Sequence, residues 1–392
     1  MRTMSLRVEP GRGPRVPLST AVWSLVGISG LVGLVVIAAQ LAAMIPPRVG
    51  DDLRLLIQAA IHWRDGATLY TAAGANSSLV AESLFYSYPP LVAQALVPLT
   101  ALPFGIVLGG WAAGAWAGLA AVAHRLGRMG WSVTLPAVAL AAFVYPFAIA
   151  ALFGNVNVWF PLLFGLVLLA VVSPGRGSAV AGGIALAVAS AVKLHPATLG
   201  VWLLARRWHE GPAGPSGRIL AVAVAAGLGL VGASLLVGGT GPWVDYVAFL
   251  RGGATQADIV SPLNIGPASQ IALALGLSEG FARTIQLPVT LVALAATIAA
   301  GRLLEDPVAS YGAATIASLV VLPVTWFHYP VALIPVAIAA AARSEHATRP
   351  ATVAALMAAV VAAGLAIVAP VSVWIAVTFV LLAVHVSRPR TA

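Results

Sequence analysis

The chain has 392 residues, 60% of them hydrophobic and 8% charged, where a soluble domain carries about a quarter of its residues charged. Water is therefore excluded as its main solvent, and no polar stretch is long enough to fold alone, which predicts one polytopic, all-α integral membrane domain over residues 1–392. The net charge of +9 sits in short Lys/Arg clusters without interleaved aromatics, which points to membrane lipids as partners and away from nucleic acid; with no cysteine, disulfides and thiolate metal sites are excluded.

Arg2, Arg7, Arg12 and Arg15 precede an apolar run without a small-residue cleavage signal before Met44, so a retained first span is expected at 22–44. A long loop follows, and the segment 45–102 is predicted to be extracytoplasmic. It opens with Val49-Gly50-Asp51-Asp52-Leu53, which fixes a carboxylate at the bilayer surface, although acids in loops are often merely solvated. It reaches Tyr88-Pro89-Pro90-Leu91, after which an apolar segment to Thr100 reads as an interfacial helix. Further spans are expected near 103–123, 132–152, 156–173, 178–192, 195–206, 219–238, 281–300, 307–325, 329–342, 351–368 and 371–386, about twelve in all.

Short cytoplasmic loops collect Lys and Arg. With the N-terminus inside, all but six of the 21 basic residues (Arg48, Arg54, Arg64, Lys193, Arg251 and Arg283) fall on the cytoplasmic side, which places both termini there. The segment 178–206 is ambiguous: one span with Lys193 at its middle, or two short spans turning at Lys193-Leu194-His195-Pro196. The turn is favoured, because one span would invert every later loop and Pro196 is a natural breaker.

The polar motifs fall on the outer side of this threading. Between the third and fourth spans, Gly154-Asn155-Val156-Asn157 offers Asn155 as a helix cap and Asn157 as a free amide suited to a sugar hydroxyl. Lys193 and His195 occupy the turn, where a lysine either snorkels to the surface or meets an anion such as a lipid phosphate. A second extracytoplasmic segment, 239–280, carries Trp243, Asp245, Tyr246, Arg251 and Asn264-Ile265-Gly266; Arg251 reads either as a phosphate ligand or as an ordinary exposed arginine. Thr325-Trp326-Phe327-His328-Tyr329-Pro330 sets a histidine among aromatics, where it serves either structure or proton transfer.

Taken in order, Asp52-Leu53 with Ala59-Ala60 and Gly66 to Tyr70, Tyr88-Pro89-Pro90-Leu91, Gly154-Asn155-Val156-Asn157, Lys193-Leu194-His195-Pro196, Asn264-Ile265-Gly266 and Trp326-Phe327-His328-Tyr329 resemble the polyprenyl-phosphate-mannose-dependent α-(1,2)-mannosyltransferases of actinobacteria. The resemblance covers nearly the whole chain and implies the C-type glycosyltransferase architecture. This chain departs from the family pattern at Asn155 (often Gln), at Ile265-Gly266 (often Gln-Ser) and at Tyr329 (often a second His).

The resemblance implies a plasma-membrane enzyme that moves mannose from the lipid donor to a mannosylated lipid acceptor on the extracytoplasmic face, with inversion. Asp52 and His328 would be catalytic, and Lys193, His195 and Arg251 would hold the donor phosphate. Asp51, Tyr88, Asn155, Asn157, Asn264 and Trp326 would bind substrate. No metal or other cofactor is expected. The alternatives are a lipid or small-molecule transporter or flippase, which would use Lys193 at membrane depth, and a noncatalytic scaffold; polar groups confined to one face and the lack of an evident internal repeat argue against transport.

Overall fold

The structure is a computed structural model that describes residues 49–70, 86–127, 130, 134, 145–211, 214–252, 259–345 and 347–388. The expected first span at 22–44 lies outside these residues, and that at 132–152 is described as helix from Tyr145 onward.

Proline, whose fixed φ suits the first helical turn where its missing N–H costs nothing, sits in the first turn of several helices. In chain order the helices are α1 (Asp51–Arg64), α2 (Pro90–Leu96), α3 (Phe104–Gly127), α4 (Tyr145–Leu152), α5 (Phe160–Val172), α6 (Arg176–Val192), α7 (Thr198–Glu210) and α8 (Pro215–Gly238). They continue with α9 (Gly241–Gly252), α10 (Pro267–Leu275), α11 (Glu279–Leu303), α12 (Pro307–Val320), α13 (Ile334–Arg343), α14 (Arg349–Gly364) and α15 (Val373–Val386). Among the described residues there is no strand, only an isolated antiparallel bridge between Asn264 and Trp326.

The stretches Phe104–Gly127, Pro215–Gly238, Glu279–Leu303 and Arg349–Ile367 are each long and apolar enough to cross a bilayer, and shorter apolar helices pack among them. Large apolar side chains such as Leu228, Leu236, Leu291 and Val292 stand exposed on α8 and α11, the surface of a membrane protein rather than of a soluble one. The expected interfacial helix before Thr100 is α2 followed by a 3-10 turn, Val97–Ala101. The segment 239–280 contains two helices, α9 and α10, that apolar periodicity did not disclose.

The turn expected at Lys193 is present. Helix α6 stops at Val192, Lys193 is extended, and Pro196 lies in a 3-10 turn, His195–Ala197, that leads into α7. A Cβ placed on Gly183 of α6 would meet Val222 and Ile219 of α8, and one on Gly200 of α7 would meet Leu220 of the same turn. Two residues on opposite sides of Lys193 thus touch one stretch of α8, so α6 and α7 fold back as a hairpin with Lys193 at its tip. Small residues make such close approach possible where lipid supplies no hydrophobic drive between helices.

The core lies around α5, where Phe160, Phe164 and Leu168 are fully buried with Trp202 of α7 and Tyr311 of α12. Several polar groups in this core are paired: the Trp202 indole donates to Ser310 Oγ at 2.8 Å, Ser310 donates to the Ala300 carbonyl, and the Tyr311 hydroxyl donates to the Phe164 carbonyl. At one end of the bundle, Arg206 reaches Glu210 and the carbonyls of Leu304 and Glu305. At that same end Arg343 grips both oxygens of Asp306, the residue that caps α12.

Candidate functional site

The site is built at the opposite end, beyond the C-terminus of α12. Two glycines with positive φ bring its parts together. Gly50 (φ 77°) precedes α1, and Gly154 (φ 65°) follows α4, a conformation that other residues adopt only with strain. A side-chain carbon at Gly50 would come within 2.7 Å of the Phe104 ring, and one at Gly154 within 2.6 Å of Leu53 Cβ. Through that close approach Gly50 N–H donates to the Leu152 carbonyl at 2.9 Å and Leu53 N–H to that of Phe153 at 3.2 Å. The first turn of α1, with Asp52 in it, is thereby stitched to the loop after α4.

Asp52 accepts a hydrogen bond from Asn155 Nδ2 at 2.7 Å. Asn155 Oδ1 in turn accepts from the backbone N–H of Asn157, capping the 3-10 turn Val156–Trp159 at 2.9 Å. The cap foreseen for Asn155 is therefore formed, and the same side chain also holds the carboxylate. Asn157 is fully buried, and neither its amide nitrogen nor its oxygen finds a partner among the described residues.

Lys193 faces this assembly from the tip of the α6–α7 hairpin. Its ammonium stands 3.8 Å from the centre of the Tyr329 ring and 6.0 Å from that of Tyr88. Burial pulls the lysine below the usual lysine range, and the Asp52 charge resists that change. Burial likewise pushes Asp52 above the usual carboxylate range, a shift that the Asn155 hydrogen bond and the Lys193 charge oppose. Both side chains keep partial access to the outside, so a substrate can reach them.

His328 completes the group. It is 6% exposed, packs edge-on against Phe327 and Tyr329, and has no partner for either ring nitrogen among the described residues. Burial and the nearby Lys193 charge hold it well below the ordinary histidine range, hence neutral at pH 7. A neutral imidazole offers one donor and one acceptor. Among the described residues no three His, Asp or Glu side chains gather as metal ligands.

Asp52, Lys193, His328, Tyr88, Asn155 and Asn157 are thus brought to one end of the molecule. Asp51 is buried beside Asp52, and Trp326 is half-buried with its backbone bridged to Asn264.

Three residues singled out from the sequence stand apart from this group. Asn264 Nδ2 donates to the Ile259 and Pro323 carbonyls, and Oδ1 accepts from Gly266 and Thr325 N–H, so the side chain staples 259–266 to 323–325. His195 is 1% exposed, stacks on Tyr329 and has Nδ1 3.4 Å from Ser318 Oγ, while its Nε2 has no partner among the described residues. Arg251 stands exposed at the end of α9, and no contact among the described residues joins it to Lys193.

Tyr329, singled out from the sequence only as a departure from a motif, proves to be the platform under the Lys193 ammonium. The signal available was its place in a run of four aromatic or imidazole rings, Trp326 to Tyr329.

Beside Lys193 an apolar groove of about 550 Å³ runs between α6, α7 and α8. Leu194 and Pro89 line its end near the site, Gly200 and Leu204 its length, and Trp243 and Tyr246 of α9 overhang it.

Two curated relatives, from Mycobacterium tuberculosis and Mycolicibacterium smegmatis, are each 28% identical to the chain, over 301 and 260 residues. Both are named polyprenol-phosphate-mannose-dependent alpha-(1-2)-phosphatidylinositol pentamannoside mannosyltransferase. The matches cover 73% and 64% of this chain, and 65% and 59% of the relatives, so the chain spans less than two thirds of either relative's length. The profile of glycosyltransferase family 87 matches residues 86–326, which hold Asn155, Lys193 and Trp326 and leave Asp52 and His328 outside. With that match over more than half of its length, the chain belongs to glycosyltransferase family 87.

Proposed function

We propose that the chain transfers mannose from polyprenyl-phosphate-mannose to a mannosylated lipid on the extracytoplasmic face of the plasma membrane, forming an α-1,2 linkage with inversion. The observation that carries this reading is the shared location of an oriented carboxylate, Asp52, and a partly buried ammonium, Lys193, beside an apolar groove. The first can take a proton, the second can meet an anion, and the groove suits the hydrocarbon tail of a lipid donor. The two mycobacterial relatives carry in their names the donor, the linkage and a phosphatidylinositol mannoside acceptor.

In this reading the acceptor hydroxyl attacks the anomeric carbon from the side opposite the phosphate. The bond from that carbon to the phosphate oxygen breaks, and polyprenyl phosphate departs with the bonding pair. Asp52 takes the acceptor proton, for which it must come within about 3 Å of the hydroxyl. The Lys193 ammonium faces the charge that builds on the leaving oxygen, so the step calls for no further cofactor. Neutral His328 orients the acceptor or the donor phosphate, and Asn157, Tyr88 and Trp326 contact the sugar or lipid.

The basic residues support an outward-facing site. Arg206, Arg302, Arg343 and Arg388 share the far end of the bundle, through the Arg206 contacts to Leu304 and Glu305, the Arg302 carbonyl on His209 and the joint grip on Asp306. Positive ends face the cytoplasm as a rule, which supports Asp52 lying on the outer side. The full arrangement is a C-type glycosyltransferase with about twelve spans and both termini cytoplasmic.

The test supplies purified protein in detergent with radiolabelled polyprenyl-phosphate-mannose and a mannolipid pool. Labelled glycolipid is expected from the wild type, with a loss of at least about 100-fold in kcat for Asp52→Asn. Absence of any new glycosidic bond from folded wild type, together with lipid movement in vesicles, would establish transport instead.

A further inference from the structure

The two asparagines after α4 have different work. We propose that Asn155 is a positioning residue that ties up one oxygen of the Asp52 carboxylate and aims the other at the acceptor hydroxyl, leaving substrate contact to Asn157. The inference rests on the reading of Asp52 as the base in sugar transfer.

The geometry is specific. An amide has two ends, and Asn155 uses both within the protein: Nδ2 donates to Asp52 Oδ2 at 2.7 Å, and Oδ1 accepts from Asn157 N–H at 2.9 Å. Asn155 is only 5% exposed. Its backbone N–H is also fixed, on the Ala150 carbonyl at 2.8 Å, so the loop that carries it is anchored to α4. The first turn of α1 is anchored to the same loop through Gly50 and Leu53. Base and positioning amide therefore sit on one stitched unit, and the carboxylate plane cannot rotate without breaking the 2.7 Å bond.

Asn157 stands in contrast. It is completely buried, two residues further on, with all its amide capacity unspent among the described residues. A buried, unpaired amide is costly unless a ligand or water meets it. The turn that Asn155 caps thus presents one asparagine to the base and the other to whatever enters.

A donor on one carboxylate oxygen favours the ionised form, the form that can take a proton. The charged and titratable groups around Asp52 are Asp51 on its own helix, Lys193 from the α6–α7 tip, Tyr88 before α2 and Tyr329 after α12. Asp51 opposes ionisation of Asp52, whereas Lys193 favours it along with Asn155.

Two substitutions separate the cap from the positioning bond. Asn155→Asp is nearly isosteric and keeps an oxygen for the Asn157 N–H, but replaces the donor to Asp52 with a second carboxylate. Asn155→Ser keeps a capping hydroxyl and is too short to reach Asp52. In the transfer assay both are expected to lower kcat at pH 7 by roughly tenfold or more with little change in the KM for donor. In Asn155→Asp the acid limb of the rate profile should also move to higher pH, with activity recovering as pH rises.

A second readout needs no activity. Dicyclohexylcarbodiimide modifies protonated buried carboxyls, and labelling at Asp52, resolved by peptide sequencing with Asp52→Asn as blank, should persist to higher pH in both variants. Unchanged labelling midpoints with an unchanged pH profile would overturn the positioning role. A labelling shift in a protein that transfers no sugar would leave Asn155 in control of Asp52 and remove the transferase reading instead.

Discussion

Asp52 is an acid under opposed influences, and its competence in the proposed role of base depends on which prevails. Burial raises its proton affinity; the Asn155 amide and the Lys193 charge lower it. Only the ionised carboxylate accepts the acceptor proton, so activity should fall as pH drops through the folded-state pKa, and that limb should lie above the ordinary carboxylate range. A kcat/KM profile between pH 4 and 8 measures it. Lys193→Met tests the other partner: loss of its positive charge should push the acid limb higher still and raise the KM for donor, whereas a snorkelling lysine would leave both unchanged. The sequence marked Lys193 as unusual because an ionisable group at the turn of two apolar helices is costly, whereas Asp52 and His328 drew notice through the motifs around them. It could not disclose that Asn264 spends its whole amide on four backbone groups, since a saturated and a free asparagine read alike in one dimension.

At the scale of elements, the loop Phe153–Asn157 decides where the Asp52 carboxylate points. Gly154→Ala would force a side chain into a left-handed backbone and against Leu53 Cβ at 2.6 Å. A loss of about 2–4 kcal/mol is expected, read as a lowered melting midpoint in detergent, with activity falling further because Asp52 is displaced. The other end of α12 offers a contrast. There Asp306 caps the helix and holds Arg343 at 2.7 Å, with both side chains less than a quarter exposed. Arg343→Met should cost about 1–3 kcal/mol of stability by leaving a partly buried carboxylate short of its partner. Because α12 separates that lock from the site by about 20 Å of helical rise, kcat in the surviving protein should change little. The α6–α7 turn was legible beforehand because Pro196 and the basic loops pointed the same way, whereas α9 and α10 were not, because helices of 12 and 9 residues are too short to stand out as spans.

At the scale of the molecule, the side of the membrane on which each end lies can be read with thiol reagents. The chain has no cysteine, so single cysteines can be introduced without background. A cysteine at Ser87, exposed beside the site, should react with an impermeant thiol reagent added to intact cells, and one at Glu345, exposed beyond α13 at the far end, only after the membrane is opened. The reverse pattern would turn the whole molecule over and, with it, the proposed side of transfer.

Composition alone decided that the chain is helical and lives in lipid, because a bilayer leaves the backbone no other way to satisfy its hydrogen bonds short of a barrel. Charge placement and Pro196 decided the turn at Lys193, because both act locally. What only the tertiary structure decided is company. Asp52 and Asn155 are 103 residues apart and meet because Gly50 and Gly154 permit backbones to touch; Tyr329 comes under Lys193 because the α6–α7 hairpin and the turn after α12 end at one depth. Such meetings depend on distances across the fold, which no local pattern of residues encodes.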